Sequence, residues 1–267
     1  MKTTRSADGT TIAYDTLGTG APVILIGGAF CDRRAKASGM PLAELLAPQV
    51  TAIAYDRRGR GDSTDTPPYA VERELEDLAA LIAAVGGSAA LYGISSGALL
   101  AIAAAAHGLA VTRVAVYDAP IVLDSNRRPP EHLATELAAL PRGDAAELFL
   151  TRVVGVPAPA VAGMRRAPMW AGLEALAHTL PYDVILAARA PALLDRAAGL
   201  ATPLLVLAGA ASPPFMVDGA QALAATVADG RYQPVAGQTH DVDPAVLAPV
   251  LAAFFTGRYV DTDVQSA

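Results

Sequence analysis

The chain holds one cysteine, Cys31, in 267 residues. That excludes an intrachain disulfide and gives no cysteine-based metal cluster. Long apolar runs are missing too. The longest, Ala98 to Ala106, is far short of the roughly 18 residues of a membrane span, and it follows a turn. The stretch from Met1 to Asp8 lacks the apolar core of a signal peptide, so a cytoplasmic location with no membrane partner is expected. Lysine is scarce: among 20 basic residues only Lys2 and Lys36 are lysine. With so much alanine, this reads as the coding bias of a GC-rich genome and says nothing of function. No basic stretch extends beyond Arg57-Arg58-x-Arg60, and the net charge is −6, so nucleic acid is not an expected partner. No metal or cofactor is expected.

What is present is apolar content, 53%, ample for the core of one large domain. Buried-strand runs alternate with helical runs, which predicts a mostly parallel sheet with helices on both faces. Asp8-Gly9 between Thr3–Ser6 and Thr11–Thr16 signals a hairpin. Pro22–Gly27, Val50–Tyr55, Ala89–Tyr92, Arg113–Tyr117, Pro203–Ala208 and Arg231–Pro234 read as strands. Tyr69–Val85 reads as the strongest helix, because Val71, Leu75, Leu78, Leu81, Ile82 and Val85 recur at helical spacing. Shorter helices are expected over Met40–Leu46, Ala98–His107 and Pro244–Phe255. From 121 to 200 the alternation stops. Helical patterns at Glu131–Leu140, Asp144–Val154, Pro168–Thr179 and Val184–Ala190, jointed by prolines, predict a cap over one edge of the sheet. The core is expected over residues 1–120 and 201–267, the cap over 121–200.

The chemistry concentrates at Gly93-Ile94-Ser95-Ser96-Gly97. A serine between two glycines, with a strand before and a helix after, is the nucleophile-elbow pattern. Small residues at 93 and 97 let the backbone turn sharply enough to raise Ser95 Oγ above the sheet edge. Four histidines are candidates for its base. His107 ends the elbow helix, and His132 and His178 fall in the helical insertion. His240 lies in the loop between the last strand and the last helix, at the carboxyl edge where ligands bind in such sheets, and is the expected general base.

Together these motifs resemble the α/β-hydrolase superfamily over nearly the whole chain. Three further motifs carry the resemblance: Asp56-Arg57-Arg58-Gly59-Arg60-Gly61-Asp62-Ser63 after the fourth strand, Gly27-Gly28-Ala29-Phe30 after the third, and Gly237-x-x-His240. The resemblance implies a doubly wound, mostly parallel α/β sheet with the cap inserted between the sixth and seventh strands. It implies an oxyanion hole from the backbone N–H groups of Ser96 and Ala29, with Phe30 as the alternative to Ala29. It also implies that Asp56–Ser63 is a structural turn with internal ion pairs rather than a phosphate site. The family's usual acid follows the seventh strand, but Ser212 occupies that place here. Asp118, after the sixth strand, is the candidate instead. Asp218, Asp241 and Asp243 are less suited. Serine at the elbow disfavours dehalogenase and epoxide-hydrolase chemistry, which use aspartate there. Hydrolysis of a small carboxylic ester, lactone or thioester is the expectation. A lyase or cyclase of secondary metabolism and a receptor-like binder are the alternatives. An apolar pocket for a small-molecule substrate is expected from Phe30, Cys31, Tyr117, Met169, Trp170, Tyr182, Phe215 and Met216. Monomer and homodimer stay equally open.

Overall fold

The computed structural model describes residues 1–130 and 132–259. Eight strands form one sheet: β1 (Lys2–Arg5), β2 (Thr11–Leu17), β3 (Pro22–Ile26), β4 (Thr51–Tyr55), β5 (Ala89–Ile94), β6 (Val111–Tyr117), β7 (Leu204–Gly209) and β8 (Gly230–Val235). Their order is β1-β2-β4-β3-β5-β6-β7-β8. β1 and β2 pair antiparallel, as do β2 and β4; every later pairing is parallel. The order reverses between β4 and β5, and the central strands β3, β5 and β6 end side by side.

Side-chain alternation along the strands feeds two cores. Ile24, Ile26 and Leu91 point to one face, Val23, Leu25, Ala90 and Tyr92 to the other. The first face is covered by α2 (Val71–Ala84), α3 (Ser96–Ala106) and α10 (Pro214–Thr226), the second by α1 (Met40–Leu46) and α11 (Pro244–Phe255). Ala98 through Ala105 are all buried, which explains why α3 carries no polar face.

Between β6 and β7 the described residues form six α-helices and no strand. They are α4 (Leu133–Ala139), α5 (Arg142–Phe149), α6 (Ala158–Met164), α7 (Trp170–Leu176), α8 (Leu180–Ala188) and α9 (Ala190–Ala197). The helical pattern begun at Glu131 is helix from Leu133; Glu131 itself lies outside the described residues. Asp144–Val154 is not one helix. α5 ends at Phe149 and continues as a π-helical turn, Leu150–Val154, closed by Gly155 at φ 83°. Leu133, Leu137, Phe149, Val161, Trp170, Leu180 and Val184 share a third apolar cluster. Leu186, Ala190, Leu193 and Ala197 instead join the cluster on the sheet, so α9 and the end of α8 anchor the insertion to the core.

Candidate active site

Three adjacent strands end in strained residues. Phe30, shortly beyond β3, has φ 57°, Ser95 after β5 has φ 54°, and Asp118 after β6 has φ 45°. They are the only non-glycine residues with positive φ among the described residues. Such conformations cost on the order of 1–3 kcal/mol each and persist only where surrounding structure imposes them. Around Ser95 the imposition is steric. A Cβ on Gly93 would meet the Gly97 carbonyl oxygen at 2.3 Å, and one on Gly97 would meet that of Ile26 at 2.3 Å. A Cβ on Gly28 would lie 2.8 Å from the Ser95 Cβ, so the turn after β3 passes directly over the serine. The backbone N–H of Ser95 donates to the Tyr117 carbonyl at 3.0 Å, and that of Asp118 to the Leu207 carbonyl at 3.0 Å. These bonds stitch the ends of β5, β6 and β7 together. Ser96 opens α3, so its N–H has no partner within the helix.

Asp118 is fully buried and gathers three donors. Its Oδ1 accepts the Gly209 N–H at 3.1 Å, and its Oδ2 accepts the Ser212 hydroxyl at 2.6 Å. The same Oδ2 lies 3.1 Å from His240 Nδ1. A carboxylate only accepts, so the facing Nδ1 carries the proton and Nε2 presents a lone pair. Ser212 thus stands beside the carboxylate that reaches the histidine. The His240 loop is held from below: the Tyr117 hydroxyl donates to the Thr239 carbonyl at 2.6 Å. It is fixed at its far end by Asp243, whose carboxylate accepts the Ala245 N–H at 2.9 Å and caps α11.

Ser95, Ser96, Ala29 and His240 all line one cavity of about 830 Å³ between the sheet edge and the insertion. Four of the expected pocket residues, Phe30, Cys31, Phe215 and Met216, line it as well. Tyr117, Met169, Trp170 and Tyr182 do not, and the pocket expectation is corrected for them. Tyr117 is wholly buried beneath the site, where its hydroxyl serves the histidine loop. Trp170 turns into the third apolar cluster under the Arg165 guanidinium, 5.4 Å from its ring centroid, which leaves its neighbour Met169 55% exposed. Tyr182 stacks on Tyr69 with ring centroids 3.9 Å apart and donates to Asp65 at 2.6 Å. On a helix its neighbour Asp183 points about 100° away, and it is Asp183 that reaches the cavity. Other wall residues were not marked by sequence: Val122 before the insertion's first helix, and Leu150 and Val153 on the π-helical turn. Burial pushes the Cys31 thiol up, so it stays protonated and serves as wall.

The arginines after β4 are consumed by ion pairs. Arg58 makes a bidentate pair with Asp77, 2.8 Å on both arms, and reaches Asp8 at 2.9 Å. Arg57 pairs with Glu74 and, at 2.8 Å, with Asp183; Arg60 pairs with Asp183 at 2.8 Å. All are buried. Asp183, Glu74 and Asp77 are cluster members that the sequence did not mark: helical spacing places Glu74 and Asp77 on the outer face of Tyr69–Val85, yet both are buried against the arginines, and the signal for Asp183 was a lone carboxylate in the apolar run Leu180–Ala188. Among the described residues, no group of three or more His, Cys, Asp or Glu side chains is arranged to hold a metal ion. No described helix is long and apolar enough to cross a membrane.

Comparison with known proteins accords with this geometry. An alpha/beta hydrolase from Sphaerobacter thermophilus DSM 20745 is 51% identical, covers 95% of this chain and 100% of its own, and superposes with a TM-score of 0.87. A thermophilic esterase from Thermogutta terrifontis shares the fold at 23% identity, with 97% and 99% of the two chains covered and a TM-score of 0.74. An esterase from Rhodococcus sp. ECU1013 does so at 22% identity, with 97% and 99% covered and a TM-score of 0.69. No curated protein sequence matches the chain. The model of the alpha/beta hydrolase family matches residues 23–250. With that match across most of its length, on a sheet whose central strands end in Ser95 and Asp118 and whose last strand leads into the His240 loop, the chain belongs to the alpha/beta hydrolase family.

Proposed function

We propose that the chain is a serine hydrolase that cleaves a small carboxylic ester, lactone or thioester through an acyl-Ser95 intermediate. The observation that carries the reading is the 3.1 Å contact of buried Asp118 with Nδ1 of His240, which lines the same cavity as Ser95. With Nδ1 engaged, Nε2 is the basic atom, and a strained serine at the head of a helix is the natural nucleophile for it. In the first half-reaction Ser95 Oγ attacks the carbonyl carbon and His240 takes its proton. The N–H groups of Ser96 and Ala29 would receive the negative charge that develops on the carbonyl oxygen. Collapse breaks the bond to the alcohol or thiol, which leaves with the proton from His240. Water then repeats the sequence on the acyl-serine, and Asp118 stabilises the imidazolium in both halves.

The cavity supports a substrate with an apolar arm. Val122, Leu133, Phe149, Leu150 and Val153 form its outer wall, and its volume lies in the range of ligand pockets. The Thermogutta and Rhodococcus proteins are named as esterases, which agrees with the reaction class. The test is turnover of p-nitrophenyl butyrate by the wild type and by Ser95→Ala. The variant is expected to lose about 10⁴-fold or more in kcat; a variant that turns over at the wild-type rate would overturn the reading.

A further inference from the structure

The buried ion cluster touches both halves of the proposed oxyanion hole, and its centre is a residue of the cap. Asp183, on α8, is 3% exposed. Its Oδ1 accepts the Ser96 hydroxyl at 2.6 Å and Arg57 Nη1 at 2.8 Å, and its Oδ2 accepts Arg60 Nη2 at 2.8 Å. Each arginine then reaches the turn after β3. Arg57 Nη1 donates to the Gly27 carbonyl at 3.3 Å, while Arg60 Nη1 donates to the carbonyls of Gly28 and, at 3.3 Å, Cys31. The turn that contains Ala29 and the strained Phe30 is thus hung on two guanidiniums that are themselves held by one carboxylate. The residue after the nucleophile is held by the same carboxylate through its side chain.

We propose that Asp183 is a positioning residue that sets the oxyanion hole from the cap. The inference rests on the acyl-serine reading above. Backbone N–H groups cannot be tuned by changing their own chemistry; only their direction can be set. Two observations make direction costly at this site. Phe30 sits at φ 57°, where the backbone relaxes unless held. Ser96 is the first residue of α3, so its N–H has no partner within the helix and takes its direction from what surrounds it. A salt bridge whose only purpose was to fasten cap to core would not need the Ser96 hydroxyl or the Gly27, Gly28 and Cys31 carbonyls. The cluster is balanced in charge, with Arg57 and Arg60 against Glu74 and Asp183. Breaking a buried pair is far more costly than never having made it, so the cap carboxylate and the hole are fixed as one unit.

The experiment compares wild type, Ser96→Ala, Ser96→Thr and Asp183→Asn. It uses p-nitrophenyl butyrate turnover normalised to active sites by fluorophosphonate titration, together with inhibition by an aryl trifluoromethyl ketone. The ketone's adduct places an oxyanion in the hole, whereas ground-state ester does not. Ser96→Ala keeps every charge and is the variant expected to fold in all cases. It should lower kcat by about 10-fold, because misdirecting a donor costs less than the roughly 10²- to 10³-fold of losing one. KM should stay within about twofold, and the ketone should weaken by the same factor as kcat. Ser96→Thr should restore most of the loss, and Asp183→Asn should lose more than Ser96→Ala. If Ser96→Ala turns over and binds the ketone as the wild type does, the proposal is overturned while the acyl-serine reading stands. If the wild type neither labels nor turns over, the acyl-serine reading falls and this proposal with it.

Discussion

Asp118 illustrates how three donors decide what one carboxylate can do. The Gly209 N–H and the Ser212 hydroxyl fix its plane, and His240 takes the remaining direction on Oδ2. Replacing it with asparagine preserves size but offers an N–H or a weaker acceptor to Nδ1, which favours the wrong tautomer of the imidazole. Asp118→Asn should therefore lower kcat by roughly 10³- to 10⁴-fold with little change in KM. Ser212→Ala removes a single hydrogen bond of about 1 kcal/mol and should cost about fivefold in kcat. Steady-state kinetics on both variants checks the pair. Equal losses in the two would mean that the aspartate acts only as a structural acceptor for Ser212.

At the scale of elements, the elbow is a strand and a helix joined with no room to spare. Alanine at position 97 would drive a methyl group into the β3 backbone, with Ile26 O at 2.3 Å. Backbone cannot rotate away as a side chain can, so β3 and β5 must part or α3 must shift. Gly97→Ala is expected to destabilise the fold by about 3 kcal/mol, which corresponds to a Tm lower by about 6–12 °C; differential scanning calorimetry reads it. An unchanged Tm would mean that α3 can slide along the sheet.

This element was legible in the sequence because steric demand leaves few residue choices: glycine at 93 and 97, a small nucleophile between, strand and helix patterns on either side. The β3 turn, the Asp56–Ser63 turn and the His240 loop were legible for similar reasons. The cap's lining was not. Trp170 and Tyr182 have the residue types of a pocket, but which way each points depends on how α7 and α8 pack, and helical spacing alone does not set that rotation. The break of Asp144–Val154 into an α-helix and a π-helical turn left no residue signature, since Leu150 and Val153 suit both. Ser212 was read as the absence of an acid; only the fold brings its hydroxyl to Asp118.

At the scale of the whole molecule, cap and core are joined through charge as well as apolar contact. Burial disfavours ionisation of Glu74 and Asp183. The neighbouring Arg57 and Arg60 guanidiniums more than offset it, so both carboxyls stand below their ordinary values. The sign follows from linkage: the unfolded chain, with ordinary carboxyls, takes up protons first as pH falls. The stabilisation is complete above the ordinary carboxylate range, about pH 4, and is lost progressively as pH drops through the lower folded values. Tm measured from pH 7 to pH 3 should therefore stay level and then fall, and Glu74→Gln should flatten part of the fall. A Tm that rose on acidification would place the cluster's net effect on the other side.

The same scale bears on the central claim, because a nucleophile is defined by what the assembled cavity does to one serine. Incubation of the wild-type chain with a fluorophosphonate, followed by proteolysis and mass mapping, asks this directly. The acyl-serine reading predicts one adduct per chain on the peptide carrying Ser95, lost in Ser95→Ala and strongly slowed in Asp118→Asn. No adduct, or an adduct on any other residue, would contradict it.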